Sequence, residues 1–397
     1  MKNIAILGFG TVGGGVADIL RDNADVVLRH AGEAVALKYV VDLREMPDSP
    51  YADKMVKDFE AVANDPEVDI VVEAIGGVGA ALAMVRKALS AGKSVVTSNK
   101  QLVAEYGLEL FELARQNGVN FLFEASVGGG IPVLNPMTRC LGANHITGVA
   151  GILNGTTNFI LSQMLEHGET YGSALRQAQA NGYAEANPAA DVEGTDAARK
   201  ICILSGLAFG ENVNPADIHV EGITGVTDVD AAFAEAGGMK LKLLGRTALR
   251  GGKKFCFVSP HLVPGNKVLA AVGDVFNAVA VQGDEVGEVL FYGPGAGRYP
   301  TASAVVADII DIVQHPGRVQ PTGWAAASEK PTCYHDFVSR WYVRTKEEKA
   351  SVEAKLGKIC WLPDQSGFHG GLTEALVRRA LGESGLALDA AWPVYDD

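Results

Sequence analysis

A continuous apolar run, Ile4-Ala5-Ile6-Leu7, leads straight into Gly8-Phe9-Gly10-Thr11-Val12-Gly13 and then into a helical pattern carried by Val16, Ile19 and Leu20. A strand buried on both faces reads as unbroken hydrophobicity rather than as alternation. The three glycines stand at the spacing that permits a tight turn, close approach of backbone to a pyrophosphate, and close packing of helix on strand. The first turn of the following helix offers unpaired N–H groups to the phosphates. The glycine pattern alone is weak evidence; its place between a buried strand and a helix is what gives it weight. A chain opening this way is expected to build a doubly wound parallel sheet with a dinucleotide across the carboxyl ends of its strands.

The alternation continues. Val35 to Val41 reads as a second strand ending on Asp42, where an acid holds the ribose hydroxyls of NAD; Arg44, two residues on, suits the 2′-phosphate of NADP. The two residues favour different cofactors, so NAD and NADP both stand. Val68 to Glu73 is a strand, Ala80 to Leu89 a helix, and Ser94 to Thr97 a strand running into Ser98-Asn99-Lys100. Lys100 falls at a carboxyl strand end, where ligands of such sheets bind, and is read as functional. Phe121 to Phe123 is followed by Glu124-Ala125-Ser126-Val127-Gly128-Gly129-Gly130-Ile131-Pro132. This is either a turn needing positive φ or a loop whose carbonyls, with one carboxylate, ligate a hard cation.

The 397 residues suffice for two or three domains, each with a core, and 48% hydrophobic with 20% charged residues is ordinary for a globular protein. A net charge of −13 argues against nucleic acid or an anionic membrane as partner. The five cysteines are scattered with no paired spacing, which fits reduced thiols and a cytoplasmic location and gives no zinc pattern. No segment is long enough to span a membrane, and the N-terminal apolar run is too short for a signal peptide.

The stretch from Asn181 to Lys200 sets Glu185, Asp191, Glu193 and Asp196 around a Gly/Pro-interrupted loop and then enters Ile201-Cys202-Ile203-Leu204. If a helix begins near Thr195, Asp196 and Lys200 lie on one face, roughly 5–6 Å apart at Cβ. Thr195 or Asp191 is placed to cap it. A solvated helix start with a surface ion pair would look much the same, so this stretch alone leaves the two readings level.

Taken together, the glycine motif, the Glu124–Pro132 loop, Gly151-Ile152-Leu153-Asn154-Gly155-Thr156-Thr157-Asn158, the 181–200 stretch, and Gly293-Pro294-Gly295-Ala296-Gly297 followed by Pro300-Thr301-Ala302-Ser303 closely resemble homoserine dehydrogenase across approximately residues 1–316. The resemblance implies an α/β chain: a Rossmann domain over 1–130 completed by a helix returning near 301–316, and a mixed α/β substrate and dimerisation domain over 131–300. It implies reversible NAD(P)-dependent interconversion of L-homoserine and L-aspartate 4-semialdehyde, on the route to threonine, methionine and isoleucine, in a homodimer or homotetramer. Residue by residue, Lys200 matches the proton donor, and Asp196 and Glu185 the residues that bind the amino-alcohol. Asp191 matches a further acid, and Lys100 the lysine between nicotinamide and substrate. Gly155 and Thr156 line the substrate side; Gly182 and Gly297 lie near the cofactor, with Gly8, Gly10, Thr11, Val12 and Gly13 at the phosphates. Glu124 with the carbonyls of Val127, Gly129 and Ile131 matches a monovalent-cation site, usually sodium.

Residues 331–397 read as a small α+β domain: a strand from Phe337 to Arg344, a helix from Lys346 to Leu356, a strand from Ile359 to Leu362, a Gly-rich turn, a helix from Leu372 to Leu381 and a strand from Leu386 to Tyr395. This resembles the ACT regulatory domain, but Lys346-Glu347-Glu348-Lys349 stands where that domain has an Asp-x-Pro-Gly turn, so regulation and oligomerisation are equally open roles. A non-catalytic dinucleotide sensor on the same fold is the alternative to the enzyme; it predicts loss of Lys200 or its acids, and all are present.

Acting as a base near neutrality would require Lys200 to fall about three units from ~10.4, roughly 4 kcal/mol. Burial works in that direction, but an ion pair at ~4 Å in an effective dielectric of about 20 returns roughly 4 kcal/mol to the charged form. Lys200 is therefore expected to stay charged and to donate in the reductive direction. Homoserine oxidation should accelerate well into alkaline pH while semialdehyde reduction runs near neutrality; initial rates across pH check this, and equal, flat profiles in both directions would refute it.

Overall fold

The computed structural model describes residues 1–321 and 323–396. Contacts divide the chain into two compact units, one of Met1–Asn144, Ile203–Asn214 and Gly293–Ser328, the other of His145–Cys202, Pro215–Tyr292 and Glu329–Asp397. In the first, β1 (Lys2–Leu7), β2 (Val35–Val41), β3 (Met55–Val56), β4 (Val68–Glu73), β5 (Ser94–Thr97) and β6 (Phe121–Leu122) form a six-stranded sheet in the order 3-2-1-4-5-6. Every pairing is parallel. This is the Rossmann order, whose strand reversal lies beside β1.

The core behind β1 shows why the glycine motif is needed. A Cβ on Gly13 would lie 2.1 Å from the Gly8 carbonyl oxygen, and Gly8 itself has φ +86°. The Thr11–Asp22 helix thus sits against the strand end at a distance only glycine allows. The Arg298–Gln314 helix packs on the same helix: Cβ atoms on Gly14 and Gly15 would meet Arg298, and Ala302, Val305 and Ile309 are buried with Ile4, Ile6 and Val16.

The 317–331 connector, rich in Pro and Gly, is partly core. Trp324 is 8% exposed, meets Phe111 edge-to-face at 4.9 Å, and donates from Nε1 to Asn212 Oδ1 at 2.7 Å. A Cβ on Gly206 would stand 2.6 Å from its ring, so the indole wedges into a notch that glycine leaves.

The second unit is built on a mixed sheet of β7 (Ile146–Ile152), β8 (His219–Val220), β9 (Met239–Arg250), β10 (Lys253–Pro264), β11 (Phe276–Gly283) and β12 (Gly287–Pro294), in the order 12-11-7-9-10-8. Only β8 among the registered pairs runs parallel to its neighbour. Beyond it, β13 (Val338–Ser339), β14 (Trp341–Thr345), β15 (Ile359–Trp361), β16 (His369–Thr373), β17 (Leu376–Val377) and β18 (Leu388–Pro393) follow. Four of these make an antiparallel sheet, 15-16-14-18, giving a ferredoxin-like βαββαβ arrangement.

Here the sequence expectation needs correction. The helix expected from Leu372 starts only at Arg378, because His369–Thr373 is a strand. Gly370 and Gly371 look like a turn, yet Cβ atoms there would lie 2.6 Å from the Phe233 ring and 2.5 Å from Ile359. They are glycines because the strand runs flush against those side chains. The expected Phe337–Arg344 strand also breaks at Arg340, and the next helix begins at Lys349 rather than Lys346.

Two buried cations tie the small sheet to the rest of the second unit. Arg246, fully enclosed, faces the rings of Phe257, Phe337 and Tyr395 at 5.9, 5.2 and 5.2 Å. Arg344 on β14 pairs with Asp230 at 3.0 Å, with side chains 7% and 0% exposed. Asp230 also accepts from Tyr342 Oη at 2.8 Å and from Thr227 N at 2.9 Å, and burial still pushes its carboxyl above the usual range. No helix among the described residues is long and apolar enough to cross a membrane. Asp230→Asn should cost about 3–5 kcal/mol by leaving Arg344 buried without its anion. Hydrogen exchange is expected to speed up at the amides of β14 and β16 while those of β1 keep wild-type rates; unchanged protection in β14 would refute the assignment.

Candidate active site

In the first unit the strand ends converge on a cradle of backbone. Gly10 precedes the Thr11–Asp22 helix in extended conformation, and nothing lies within 4 Å of the place its Cβ would occupy. Thr11, Val12 and Gly13 supply the first-turn N–H groups, so backbone and open space together fit a pyrophosphate. Asp42, at the end of β2, accepts from Phe9 N at 2.8 Å and from Arg44 N, Nε and Nη2 at 2.9, 3.0 and 2.7 Å. The Arg44 guanidinium holds the Asp42 carboxyl well below the usual carboxylate range. Arg44 is itself 61% exposed at the side chain, so its grip on Asp42 faces solvent.

Two neighbouring loops are held by a buried acid that sequence reading passed over. Glu73, 0% exposed at the end of β4, accepts from Ile75 N at 2.9 Å, Gly76 N at 3.1 Å and Thr97 Oγ1 at 2.5 Å. Asn99 then caps the Lys100–Gln116 helix through Leu102 N and donates to the Gly77 carbonyl at 2.6 Å. Lys100 is thereby the first residue of a helix, at the end where the macrodipole disfavours a cation. Gly297 occupies the corresponding place before the Arg298–Gln314 helix with φ +126°.

The Glu124–Ile131 loop differs from the expectation of a carboxylate ligand. Glu124 is 3% exposed, and its carboxylate accepts from Val133 N, Leu134 N and Asn135 N at 2.6, 2.9 and 2.7 Å. Its own N–H donates to Asp308 Oδ2 at 2.9 Å. Burial raises the Glu124 carboxyl against these three donors, and burial with the nearby Glu124 charge raises Asp308 well above its ordinary value. The carboxylate is an anchor for backbone amides.

In the second unit, the helix Thr195–Phe209 starts at the residue its sequence suggests. Lys200 Nζ meets Asp196 Oδ2 at 2.8 Å, with the two side chains 9% and 6% exposed, and donates to the Leu153 carbonyl at 2.7 Å. This is a buried ion pair, not a surface one. Asn154 Nδ2 reaches Asp191 Oδ1 at 2.7 Å and Asp196 Oδ2 at 3.0 Å. Thr156 Oγ1 donates to the Tyr183 carbonyl at 2.5 Å, tying the helix start at Gly155 to the 181–188 loop. Gly155 is required there, since a Cβ would lie 2.6 Å from the Val275 carbonyl oxygen. Lys200, Asp196, Asp191, Gly155 and Thr156 are thus gathered together. Glu185 and Gly182 are not drawn in: both lie exposed on the 181–188 loop, Gly182 with φ +74°. Asn154 joins the gathered residues without a signal of its own beyond being a cap-type residue directly after a strand.

Known proteins share this sequence and fold. A family model described as "Homoserine dehydrogenase" matches residues 132–310, and one described as "Homoserine dehydrogenase, NAD binding domain" matches 8–124. The chain is 49% identical over 319 residues to a homoserine dehydrogenase of Neisseria gonorrhoeae, covering 79% of this chain and 72% of the relative. The crystal structure of a homoserine dehydrogenase from Thiobacillus denitrificans superposes with a TM-score of 0.91 at 35% identity, covering 100% of this chain and 98% of the other. A hyperthermophilic archaeal homoserine dehydrogenase in complex with NADPH has a TM-score of 0.68 at 28% identity, over 80% and 99% of the respective chains. With a nicotinamide-nucleotide cradle in one unit and a buried lysine–carboxylate pair in the other, the chain belongs to the homoserine dehydrogenase family, NAD(P)-dependent oxidoreductases acting on L-homoserine and L-aspartate 4-semialdehyde.

Proposed function

We propose that Lys200 is the proton donor for reduction of L-aspartate 4-semialdehyde and the acceptor in homoserine oxidation, in the route to threonine, methionine and isoleucine. The supporting observation is the Lys200 ammonium, buried yet held at 2.8 Å by Asp196 and at 2.7 Å by the Leu153 carbonyl. Such an ammonium keeps its proton until a stronger base appears, and the alkoxide formed at the substrate carbonyl is one. Bound nicotinamide supplies the hydride; Lys200 supplies the proton that completes the alcohol. Asp196 and Asp191 are assigned to the substrate's ammonium and hydroxyl, with Gly155 and Thr156 beside them; Glu185, exposed on the 181–188 loop, is assigned to the substrate by the family resemblance alone. Lys100 is assigned electrostatic stabilisation of the developing alkoxide.

For the cofactor we propose acceptance of NADP, with Gly8, Gly10, Thr11, Val12, Gly13 and Gly297 around the nucleotide. Arg44 neutralises Asp42 in the free protein and is exposed enough to turn toward a 2′-phosphate; the archaeal relative's complex with NADPH supports the same reading. A monovalent cation, sodium in kind, is assigned to the carbonyls of Val127, Gly129 and Ile131, with Glu124 fixing the adjoining backbone rather than ligating through its carboxylate. The 331–397 segment is assigned an ACT-like regulatory or assembly role. Self-assembly as a homodimer or homotetramer suits the exposed edge of the mixed sheet, where Tyr292 on β12 is 55% exposed. A cytoplasmic setting accords with the substrates.

Lys200→Ala should lower kcat for semialdehyde reduction by about 10²–10⁴-fold, the range of general acid–base catalysis, with KM for the nucleotide little changed. Nucleotide absorbance reports this directly, and a variant with wild-type kcat would remove Lys200 from the chemistry. Arg44→Ala should raise KM for NADPH about tenfold to a hundredfold, the value of a charged hydrogen bond, while KM for NADH holds or falls. Equal effects on both cofactors would show that Arg44 does not read the 2′-phosphate.

A further inference from the structure

Strand β7 ends at Ile152 and the next helix begins at Gly155, so Leu153 and Asn154 alone make the turn between them. This dipeptide hydrogen-bonds Lys200, Asp191 and Asp196 in the second unit. The Leu153 carbonyl accepts from Lys200 Nζ at 2.7 Å, and Asn154 Nδ2 donates to Asp191 at 2.7 Å and to Asp196 at 3.0 Å. Asn154 is 7% exposed, and its orientation is fixed from its other end. Its Oδ1 accepts from Thr157 N at 2.9 Å, capping the Gly155–His167 helix, so the NH2 group must face the carboxylates. An amide NH2 carries two hydrogens, and the two carboxylates take one each.

We propose that Asn154 is a positioning residue for the reaction: its amide clamps Asp191 and Asp196 in one fixed arrangement beside Lys200, and so sets how the amino-acid substrate is seated. This rests on the reading of Lys200 and Asp196 as the reacting and substrate-binding pair. The choice of side chain follows from charge. Two acids drawn together repel, and a Lys or Arg bridging them would neutralise the field that attracts the substrate's ammonium. A serine caps a helix equally well but is too short and has one hydrogen. An aspartate also caps but puts a third carboxylate against the other two. Asparagine alone caps the helix and donates twice while adding no charge of its own.

The test compares Asn154→Ser and Asn154→Asp with wild type and with Lys200→Ala, all as the full chain. Both asparagine replacements keep a capping oxygen and remove the double donor. Each is expected to raise KM for aspartate semialdehyde and for homoserine about tenfold or more, while KM for NADPH stays within about twofold. KM does not depend on how much of a preparation is folded, so a reduced yield leaves the readout intact. A wild-type KM for the amino-acid substrates in either variant, with only a lowered melting temperature, makes Asn154 a helix cap and overturns the proposal. Wild-type turnover by Lys200→Ala would instead remove the underlying assignment of the site, a result distinguishable from the first.

Discussion

An ammonium group has been placed inside a hydrophobic helix face, and much of the second unit answers to that. Lys200 is followed by Ile201, Cys202, Ile203 and Leu204, each at most 1% exposed. A lone charge there would cost several kcal/mol and would be relieved by loss of its proton or by unfolding. Asp196, one turn earlier, supplies the opposite charge, and the Leu153 carbonyl supplies a second acceptor. Bringing that carbonyl into reach requires β7 to stop at Ile152 and a helix to start two residues later. The strand ending and the tight turn both follow from bringing that carbonyl to the ammonium, while Gly155 leaves room for the Val275 carbonyl.

The first unit uses buried charge differently. Glu73 and Glu124 lie at or just beyond strand ends, and each spends its oxygens on neighbouring N–H and hydroxyl groups. Loops at a ligand-binding edge contain backbone donors with no strand partner. A buried carboxylate that gathers two or three of them replaces that partner and stiffens the loop. Asp308 does the same for the Glu124 amide from the returning helix.

Much of this was legible from residue order. The Gly8–Gly13 spacing has one physical use beside a buried strand, and the six-stranded sheet follows from strand–helix alternation. Asp196 and Lys200 were legible as neighbours, because helical geometry fixes four-residue spacings whatever the surroundings. What periodicity cannot carry is the partner across the fold. Nothing local distinguishes Glu124 as an anchor of the 133–135 amides from Glu124 as a cation ligand. Nothing local marks Asn154 as a bridge between acids 37 and 42 positions away. Gly370 and Gly371 misled for a related reason: glycine signals a turn when read locally, whereas here Phe233 and Ile359, distant in sequence, demand the absent side chain.

Lys100 has a consequence for the free protein. It opens a 17-residue helix, at the pole whose N–H groups favour an anion. An anion arriving at the same strand end cancels both the pole and the lysine. Ligand affinity and helix order are then two readings of one free energy, linked through mass action. Binding of negative charge there and order in the first helical turn would each favour the other.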